Sequence, residues 1–321
     1  MQRFKKVLCV LEHGEASKPA LERAVALADN SQAELMVVDV IPRLSAGGLV
    51  SQDLRAAIVR EHEERLISLI EPYRLTIDIK HGVLTGTSFL EITRAVLRNG
   101  HDLVIKCPES PSWLDRVFSG DDMHLLRKCP CPVWLIKPEA PTSYKRILAA
   151  VDVDEAYLGT ELATRHTLNV QILEMAATLA LSEFAELHVV HVWDSAYEAI
   201  SGFMMSSDIS PENKESSVEQ ERRQQQQLLN TLLHHSGNKA TRESLGYLKP
   251  QAHLIKGSAR KEIPALARRL QVDCIVMGTV ARTGIRGFIM GNTAETILEQ
   301  IDCSVLAIKP PGFVTPVELE D

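Results

Sequence analysis

Short apolar runs alternate along the chain with longer segments in which apolar residues recur at helical spacing. Runs such as Lys6–Glu12, Ala33–Val40 and Cys274–Met277 are rich in Val, Ile and Leu, which is typical of buried parallel strands. Strands that alternate with helices indicate right-handed βαβ crossovers and a parallel sheet covered by helices on both faces. The predicted helices are Pro19–Ala28, Gln52–Ile70, Phe89–Leu97, Leu125–Lys128, Val170–Leu181, Glu219–Leu233, Ile263–Leu270 and Thr293–Ile301.

Four apolar runs in the first half of the chain recur in the same order in the second half. This internal repeat predicts two tandem α/β domains, 1–140 and 141–321, each an open five-stranded parallel sheet with helices on both faces. A Pro-rich linker near Pro138–Ser143 joins the two copies. The matched runs are Lys6–Glu12 with Arg146–Asp152, Ala33–Val40 with Ala185–Val192, Asp102–Ile105 with Asp273–Val276, and Cys131–Pro138 with Cys303–Pro310.

The second copy contains two insertions, which the spacing between equivalent residues locates. That spacing grows by 12 residues between the first and second matched runs, and by a further 19 between the second and third. The first insertion covers roughly Tyr157–Asn169. The second contains the apolar, Met-rich run Ala199–Met205, which we expect either to pack on its own domain or to form a lid over an apolar ligand.

Composition and charge exclude several classes of function. A chain of 321 residues with 45% hydrophobic residues can bury two cores, at about 150 residues per domain. The net charge of -7 argues against a general surface for nucleic acids or anionic membranes. The first apolar run ends at Glu12, too short for a signal peptide or a membrane span. We therefore expect a cytoplasmic protein that binds neither nucleic acid directly nor membranes.

The positions of the cysteines are typical of small buried hydrophobic residues in a protein from a reducing compartment. They lie mostly in or beside apolar runs. Only Cys129 and Cys131 are close in sequence, and a C-x-C pair alone lacks the second half of a zinc site. A structural role is favoured over a metal site, and no metal is predicted. The six residues are Cys9, Cys107, Cys129, Cys131, Cys274 and Cys303.

The topology predicts where a ligand would bind. In open α/β sheets the crevice lies beyond the carboxyl ends of the strands, where the strand order reverses. In the second copy this places it near Asp152, Val192 and Gly278. A loop that ends at Gly291 leads into a helix, for which we predict Asn292 as the N-cap with Glu295 in a capping box. A glycine loop before a helix N-terminus favours an anion.

The loop itself carries a family resemblance. The spacing Gly278, two residues, Ala281, nine residues, Gly291, then Asn292 and Thr293, resembles the nucleotide loop of the universal stress protein family. ATP-binding members have a second Gly where this chain has Ala281, and Ser or Thr where it has Asn292. The runs Gly291–Glu295 and His124–Pro130 also recur in tandem, two-domain members. The resemblance implies two adenine nucleotide alpha hydrolase-like, Rossmann-like domains.

The resemblance also implies roles for individual residues of the second copy. Asp152 would hold ribose or adenine, the Val192 backbone would pair with the adenine edge, and Met277 and Gly278 would line base and sugar. In the first copy Glu12 replaces the Asp, Lys106 and Cys107 replace Met277 and Gly278, and acidic residues fall in the loop, so that copy is expected to be structural or to bind another ligand. The phosphate shell would comprise Ala281, Arg282, Gly291, Asn292 and Thr293.

The function implied by the resemblance is that of a cytoplasmic stress-response protein. We expect a non-catalytic regulator whose second copy binds ATP or a related nucleotide, or a similar phosphate-bearing ligand. Two alternatives stay open: a scaffold for protein partners or an apolar, lipid-like ligand, and a weak ATP hydrolase. No catalytic triad or complete P-loop is present, so no catalytic residue is predicted.

The two copies are also expected to associate with each other. The resemblance implies an intrachain pseudo-dimer in which Val133–Lys137 pairs with Val305–Lys309. Both runs are apolar on both faces, and pairing would cover edges that otherwise invite aggregation. A homodimer of the whole chain stays open.

Overall fold

The computed structural model describes residues 4–12, 14–42, 52–108, 120–155, 159–195, 211–235, 237–279 and 290–319. By its internal contacts the chain divides into two compact units. The second-copy unit is Tyr144–Gly278, and the first-copy unit is Gln2–Ser143 together with Thr279–Asp321. The end of the second copy groups with the first-copy unit, so these two units differ from the predicted domains. The predicted domain limits, 1–140 and 141–321, stay a prediction.

Strands and helices alternate along the described residues. Short 3₁₀ turns occur at Gly14–Ser17 and Glu71–Tyr73. None of the described helices is both long enough and apolar enough to cross a bilayer. The elements are β1 (Lys6–Val10), α1 (Lys18–Ser31), β2 (Glu34–Ile41), α2 (Gln52–Ile70), β3 (Ile79–Thr85), α3 (Ser88–Asn99), β4 (Leu103–Lys106), α4 (Gly120–Lys128), β5 (Val133–Leu135), β6 (Arg146–Val151), α5 (Thr160–Glu183), β7 (Glu186–Trp193), α6 (Pro211–His235), α7 (Lys239–Leu248), β8 (Gln251–Lys256), α8 (Ala259–Leu270), β9 (Cys274–Gly278), α9 (Asn292–Leu298) and β10 (Ser304–Ile308).

The second-copy unit is built on a fully parallel sheet. Its strand order is β9-β6-β7-β8. The central strands are almost entirely buried, which is why they are continuous apolar runs in the sequence. Helix α5 packs on β6 and β9, and α8 packs on β6 and β7. The predicted α/β class with a mostly parallel sheet is confirmed.

The first-copy unit has the strand order β3-β2-β1-β4-β5-β10. All neighbours are parallel except β5 and β10, which are antiparallel. At the centre of this pairing Trp134 lies opposite Leu306, and these two residues occupy equivalent positions in the two copies. Such self-equivalent pairing is typical of a two-fold interface. The predicted pairing of the two final strands is confirmed.

Equivalent helices of the two copies end in the same way. The residue after α1 is Gln32 and the residue after α5 is Phe184, and both adopt the left-handed conformation, with φ of 53° and 54°. The next residue in each case, Ala33 or Ala185, donates its N–H to a carbonyl in the last turn of the helix. This C-terminal motif satisfies carbonyls that would otherwise lack partners.

Two features were missed by the sequence prediction. Strands β3 and β8 are half-exposed and carry polar residues, so neither forms a continuous apolar run. A signal was nevertheless present, because Gly86 and Gly257 follow these strands at equivalent positions. Both glycines have positive φ, 154° and 143°, and each precedes a helix whose N-cap residue is Thr87 or Ser258. Helix α7 was also missed.

Candidate functional site

The carboxyl edge of the second-copy sheet contains a point at which the strand order reverses. The chain passes from β6 to β7 and β8 on one side, and β9 then lies on the other side of β6. Ala150 of β6 pairs with Met277 of β9, so Asp152 and Gly278 flank the gap just beyond that pair. Open α/β sheets bind ligands in such a gap. The structure brings Asp152, Met277 and Gly278 to one edge, and their role in binding stays a prediction.

Val192 lies at the same edge, near the end of β7. The pairing of β6 with β7 ends at Val151 and His191, whereas Val192 still pairs with Ile255 of β8. The backbone of Val192 therefore extends one residue beyond the ladder with β6. This is the place at which the family resemblance puts the edge of an adenine base.

Asp152 is held by three hydrogen bonds with two residues of α5. The guanidinium of Arg165 donates to Asp152 Oδ2 at 2.5 Å. The side-chain amide of Asn169 bonds to both backbone groups of Asp152: its Nδ2 donates to the carbonyl oxygen at 2.6 Å, and its Oδ1 accepts from the N–H at 3.0 Å. Arg165 also bonds to Glu161 at 3.3 Å, one turn earlier on the helix. The carboxylate predicted to hold ribose thus already has a cation as its partner.

Gly278 faces another residue of the same helix. A Cβ placed on Gly278 would lie 2.7 Å from Leu168 Cδ2, closer than real Cβ atoms approach other heavy atoms. An alanine at this position would therefore require the side chain of Leu168 to shift, whether or not a ligand binds. The side chain of Leu168 occupies the space beside Gly278 at the point where the strand order reverses.

The insertion that supplies these residues was predicted from the repeat spacing, but its structure was not. Arg165, Leu168 and Asn169 all belong to Tyr157–Asn169. The inserted residues from Thr160 onward are helical, so α5 has 24 residues where its counterpart α1 has 14. A signal for the helix was present in the spacing of Glu161 and Arg165, which places opposite charges four residues apart.

The predicted phosphate residues lie partly outside the described part of the chain. Ala281 and Arg282 fall there, as does the apolar run Ala199–Met205. Gly291 is buried and donates its N–H to the carbonyl of Thr279 at 3.2 Å. The two other predicted phosphate residues are exposed at the start of α9: Asn292 and Thr293.

The predicted cap of α9 is wrong. Gly291 is the N-cap, with φ -65° and ψ 135°, and no side-chain bond caps the helix. Asn292 is already the first helical residue, so its side chain is not placed to accept from the following N–H groups. Glu295, expected to complete a capping box, forms an ion pair with Arg127 of α4.

The equivalent gap in the first copy is filled by a buried ion cluster. Lys106, at the end of β4, lies 2.5 Å from Glu12 Oε2 and 3.0 Å from Asp122 Oδ1. The three side chains are 1%, 6% and 0% exposed. Ser88 also donates to Glu12. Burial alone would lower the pKa of Lys106, but Asp122 and Glu12 outweigh that effect and raise it.

The comparisons with known proteins agree with one another. The family model of the Universal stress protein family matches residues 3–137 and again residues 143–309. Universal stress protein E of Escherichia coli strain K12 is 30% identical over 338 residues, covering 100% of this chain and 99% of that protein. The Universal stress protein E homolog of Haemophilus influenzae is 28% identical over 324 residues, covering 96% of this chain and 98% of the homolog.

Solved structures show the same architecture. A Pseudomonas aeruginosa UCBPP-PA14 protein assigned to the universal stress proteins aligns with a TM-score of 0.66 and 26% identity, over 96% of this chain and 94% of that chain. A universal stress protein from Archaeoglobus fulgidus aligns with a TM-score of 0.59 and 16% identity, over 95% of this chain and 98% of that chain, which shows the fold. Two tandem matches to the family model and a full-length relative at 30% identity confirm the family resemblance, and the chain belongs to the universal stress protein family.

Proposed function

We propose that the second copy binds an adenine nucleotide, ATP or a related molecule, and that the protein acts in the stress response as a non-catalytic regulator. The observation that carries this proposal is the position of Asp152 and Gly278. They flank the gap at which the strand order of a parallel sheet reverses, with Val192 at the end of the neighbouring strand. A carboxylate there suits ribose hydroxyl donors, and the loop from Gly278 to Gly291 has nearly the family's nucleotide spacing.

The ion pair of the second copy is more exposed than the ion cluster of the first copy, which favours the second copy as the binding site. The pair of Arg165 and Asp152 is partly exposed, at 20% and 46%. Pairs of this kind contribute about 0–1 kcal/mol, so a ligand can displace the guanidinium at small cost. In the first copy the same position holds a fully buried cluster, and removing Lys106 would take the cation away from two buried carboxylates. One nucleotide per chain is therefore proposed.

The ligand must also displace Leu168 from its position beside Gly278. Leu168 sits on the first turns of α5, which lie in the insertion and are not part of the repeated fold. A shift of these turns would free Asp152 and Gly278 together. The sheet itself would keep its hydrogen bonds during such a shift.

Calorimetric titration with ATP tests the proposal. The wild-type chain should show one site, and Asp152→Asn should weaken binding by about tenfold or more, since a charged hydrogen bond contributes roughly 1.5–3 kcal/mol. Glu12→Gln, at the equivalent position of the first copy, is the matched control and should bind like the wild type. Two equivalent sites, or loss of binding in Glu12→Gln alone, would contradict the proposal.

A second variant separates two roles of Arg165. Arg165→Gln frees the carboxylate of Asp152, so nucleotide affinity should rise by up to about fivefold, the equivalent of a surface ion pair. A fall in affinity would instead show that Arg165 contacts the ligand directly. Gly291→Val, which crowds the predicted phosphate approach, should abolish binding in either case.

A further inference from the structure

The two cysteines of the C-x-C motif are in contact inside the first-copy unit. Cys129 follows α4 and Cys131 precedes β5, and their Sγ atoms are 3.6 Å apart. The residues are 0% and 7% exposed, and both thiols are free. No His, Asp or Glu joins them to form a possible metal site among the residues described. The pair is therefore close enough for one sulfur to attack the other after a small movement.

A buried lysine lies close enough to this pair for its charge to act on Cys129. Lys309 is 6% exposed, and its Nζ donates to the carbonyl of Leu126 and, at 2.9 Å, to Thr279 Oγ1. The ammonium also lies 4.9 Å from the ring centroid of Phe313. These partners are neutral, and within the described parts of the chain no carboxylate lies at ion-pair distance from Lys309. A buried ammonium without an anion is unfavourable.

The equivalent lysine of the first copy has a carboxylate partner. Lys137 occupies in the first copy the position that Lys309 occupies in the second, and it forms an ion pair with Asp302 at 2.5 Å. The residue equivalent to Asp302 is Pro130, which cannot supply a charge. Its two neighbours are Cys129 and Cys131. A thiolate of this pair is the available anion for Lys309.

The two thiols differ in acidity, in a way that assigns each a role. Burial alone would raise the pKa of Cys129, but hydrogen bonds from the Cys131 thiol and backbone, together with the charge of Lys309, lower it. The hydrogen bond to Cys129, and then burial, raise the pKa of Cys131. Burial lowers the pKa of Lys309 to about 8, which leaves it largely protonated at neutral pH. The lowered pKa of Cys129 and the raised pKa of Cys131 favour Cys129 as the nucleophile of the pair and Cys131 as the thiol that donates to it.

We propose that Cys129 and Cys131 form a redox modification site that a hydroperoxide oxidises to a reversible disulfide. The Cys129 thiolate attacks the terminal oxygen of the hydroperoxide and breaks the O–O bond. Its sulfur becomes a sulfenic acid, and the alcohol or water leaves with a proton taken up from solvent. The Cys131 sulfur then attacks the sulfenic sulfur, forms the S–S bond and releases water. Two electrons pass from the thiols to the peroxide.

The disulfide is expected to be easily reduced. A bridge that spans one residue closes a small ring, and the geometry that disulfides prefer is difficult to reach within it. Strained disulfides have more oxidising potentials and are the labile ones. Thiol reductants of a reducing compartment would therefore restore the pair once the hydroperoxide is removed. This property suits a response to a transient oxidant rather than a structural staple.

Peptide mapping of the intact protein after hydrogen peroxide treatment tests the proposal. Trypsin releases a peptide from Cys129 to Lys145 that contains these two cysteines and no other. It should become lighter by two hydrogen atoms and regain them with dithiothreitol. Cys303 is the matched control, because it is equivalent to Cys131 but has Ile301 where Cys129 would lie. An unchanged peptide, or equal oxidation of Cys303, would overturn the proposal.

Variants assign the order of steps. In Cys131→Ser the reaction should stop at a sulfenic acid on Cys129, which dimedone traps, whereas Cys129→Ser should leave Cys131 unoxidised. Lys309→Gln should slow oxidation, because it removes a charge that lowers the pKa of Cys129. Pro130→Asp, which offers Lys309 the carboxylate that Lys137 has, should also slow it.

The wild-type protein provides a measurement that does not depend on the folding of any variant. The oxidation rate of the peptide from Cys129 to Lys145 should level off with rising pH below the ordinary thiol value of about 8.5. A rate that keeps rising up to or beyond that pH would show that Cys129 is an ordinary buried thiol and would overturn the proposal.

Discussion

The two copies neutralise the carboxylate at the reversal of strand order in different ways. In the first copy the cation is Lys106, which comes from a central strand and is buried together with Glu12 and Asp122. In the second copy the cation is Arg165, which comes from an inserted helical segment and remains partly exposed with Asp152. The same fold thus has one gap closed by its own core and one gap covered by a segment that is not part of the core.

The difference determines what each gap can do. Opening the first gap exposes a charge cluster whose members stabilise one another only while all three are present. Opening the second gap costs a partly exposed ion pair and the packing of one leucine. The insertion in the second copy thus distinguishes a gap filled by buried charges from one that we propose can open.

The largest expected effect comes from removing the buried cation of the first copy. Lys106→Met removes the cation that bonds to both Glu12 and Asp122, and breaking a buried ion pair in this way costs about 3–5 kcal/mol. Denaturant unfolding should show this as a lower midpoint.

The triple variant Lys106→Met, Glu12→Gln, Asp122→Asn removes the carboxylate charges as well, and it should recover most of the loss. If Lys106→Met were as stable as the wild type, the cluster would not be the structural element that distinguishes the first copy. If the triple variant failed to recover stability, the packing of the Lys106 side chain rather than its charge would be responsible.

The next effect concerns Gly278. Gly278→Ala forces a methyl group against Leu168 Cδ2, and overpacking of this kind costs about 1–3 kcal/mol. Leu168→Ala should remove the clash, so the double variant should lose less stability than the sum of the single variants. Gly82→Ala in the first copy is the control, because its new Cβ would lie 4.0 Å from Met36 Cε, an ordinary contact. Additive losses at Gly278 and Leu168 would rule out the contact between them.

How much of this molecule the sequence could predict depends on burial. The central strands are buried on both faces, so their continuous apolar runs predicted them and the reversal of strand order near Asp152. The outer strands β3 and β8 are half-exposed and were missed for that reason. The pairing of β5 with β10 was predicted from the family resemblance, which the apolar faces of both strands supported. The grouping of β10 with the first-copy unit was not, since it depends on contacts between residues distant in sequence.

The candidate site was predictable only in part. Its strand-borne residues follow from topology, because the carboxyl ends of parallel strands lie at one edge. Arg165 and Leu168 could not be placed, because a change in repeat spacing locates an insertion without fixing its structure or contacts. The buried cation Lys106 was visible as a departure from the repeat, but its two carboxylate partners come from segments far apart in the chain.

A smaller effect is expected for the cation of the second copy. Arg165→Met removes a partly exposed pair, so the free energy of unfolding should change by about 0–1 kcal/mol. The matched comparison is Lys106→Met, measured in the same denaturant. Equal losses for the two variants would remove the distinction between a closed gap and one that can open.

The smallest expected effect is a loss of stability at acid pH, for which only the direction is predicted. It comes from a histidine pair on β7 and β8 that the first copy lacks at the equivalent positions. His188 of β7 and His253 of β8 lie with ring nitrogens 3.0 Å apart, whereas Met36 and Gly82 occupy the equivalent positions in the first copy. Burial lowers the pKa of both histidines. The charge of His188 further lowers the pKa of His253, and a nearby arginine lowers the pKa of each ring. Glu186, 3.7 Å from His188, opposes the shift at that residue.

Because these pKa values lie lower in the folded protein than in the unfolded chain, the unfolded chain binds protons first as the pH falls. Stability should therefore be unaffected well above pH about 6.5 and should decrease as the pH falls below that value through the folded pKa values. Thermal unfolding of the wild type and of His253→Gln across this range tests the claim. His253→Gln removes one titrating group and the repulsion between two imidazolium rings, so its melting temperature should fall less on acidification. Parallel pH profiles for the two proteins would show that other groups control the acid response, and that the histidine pair does not set the second copy apart from the first.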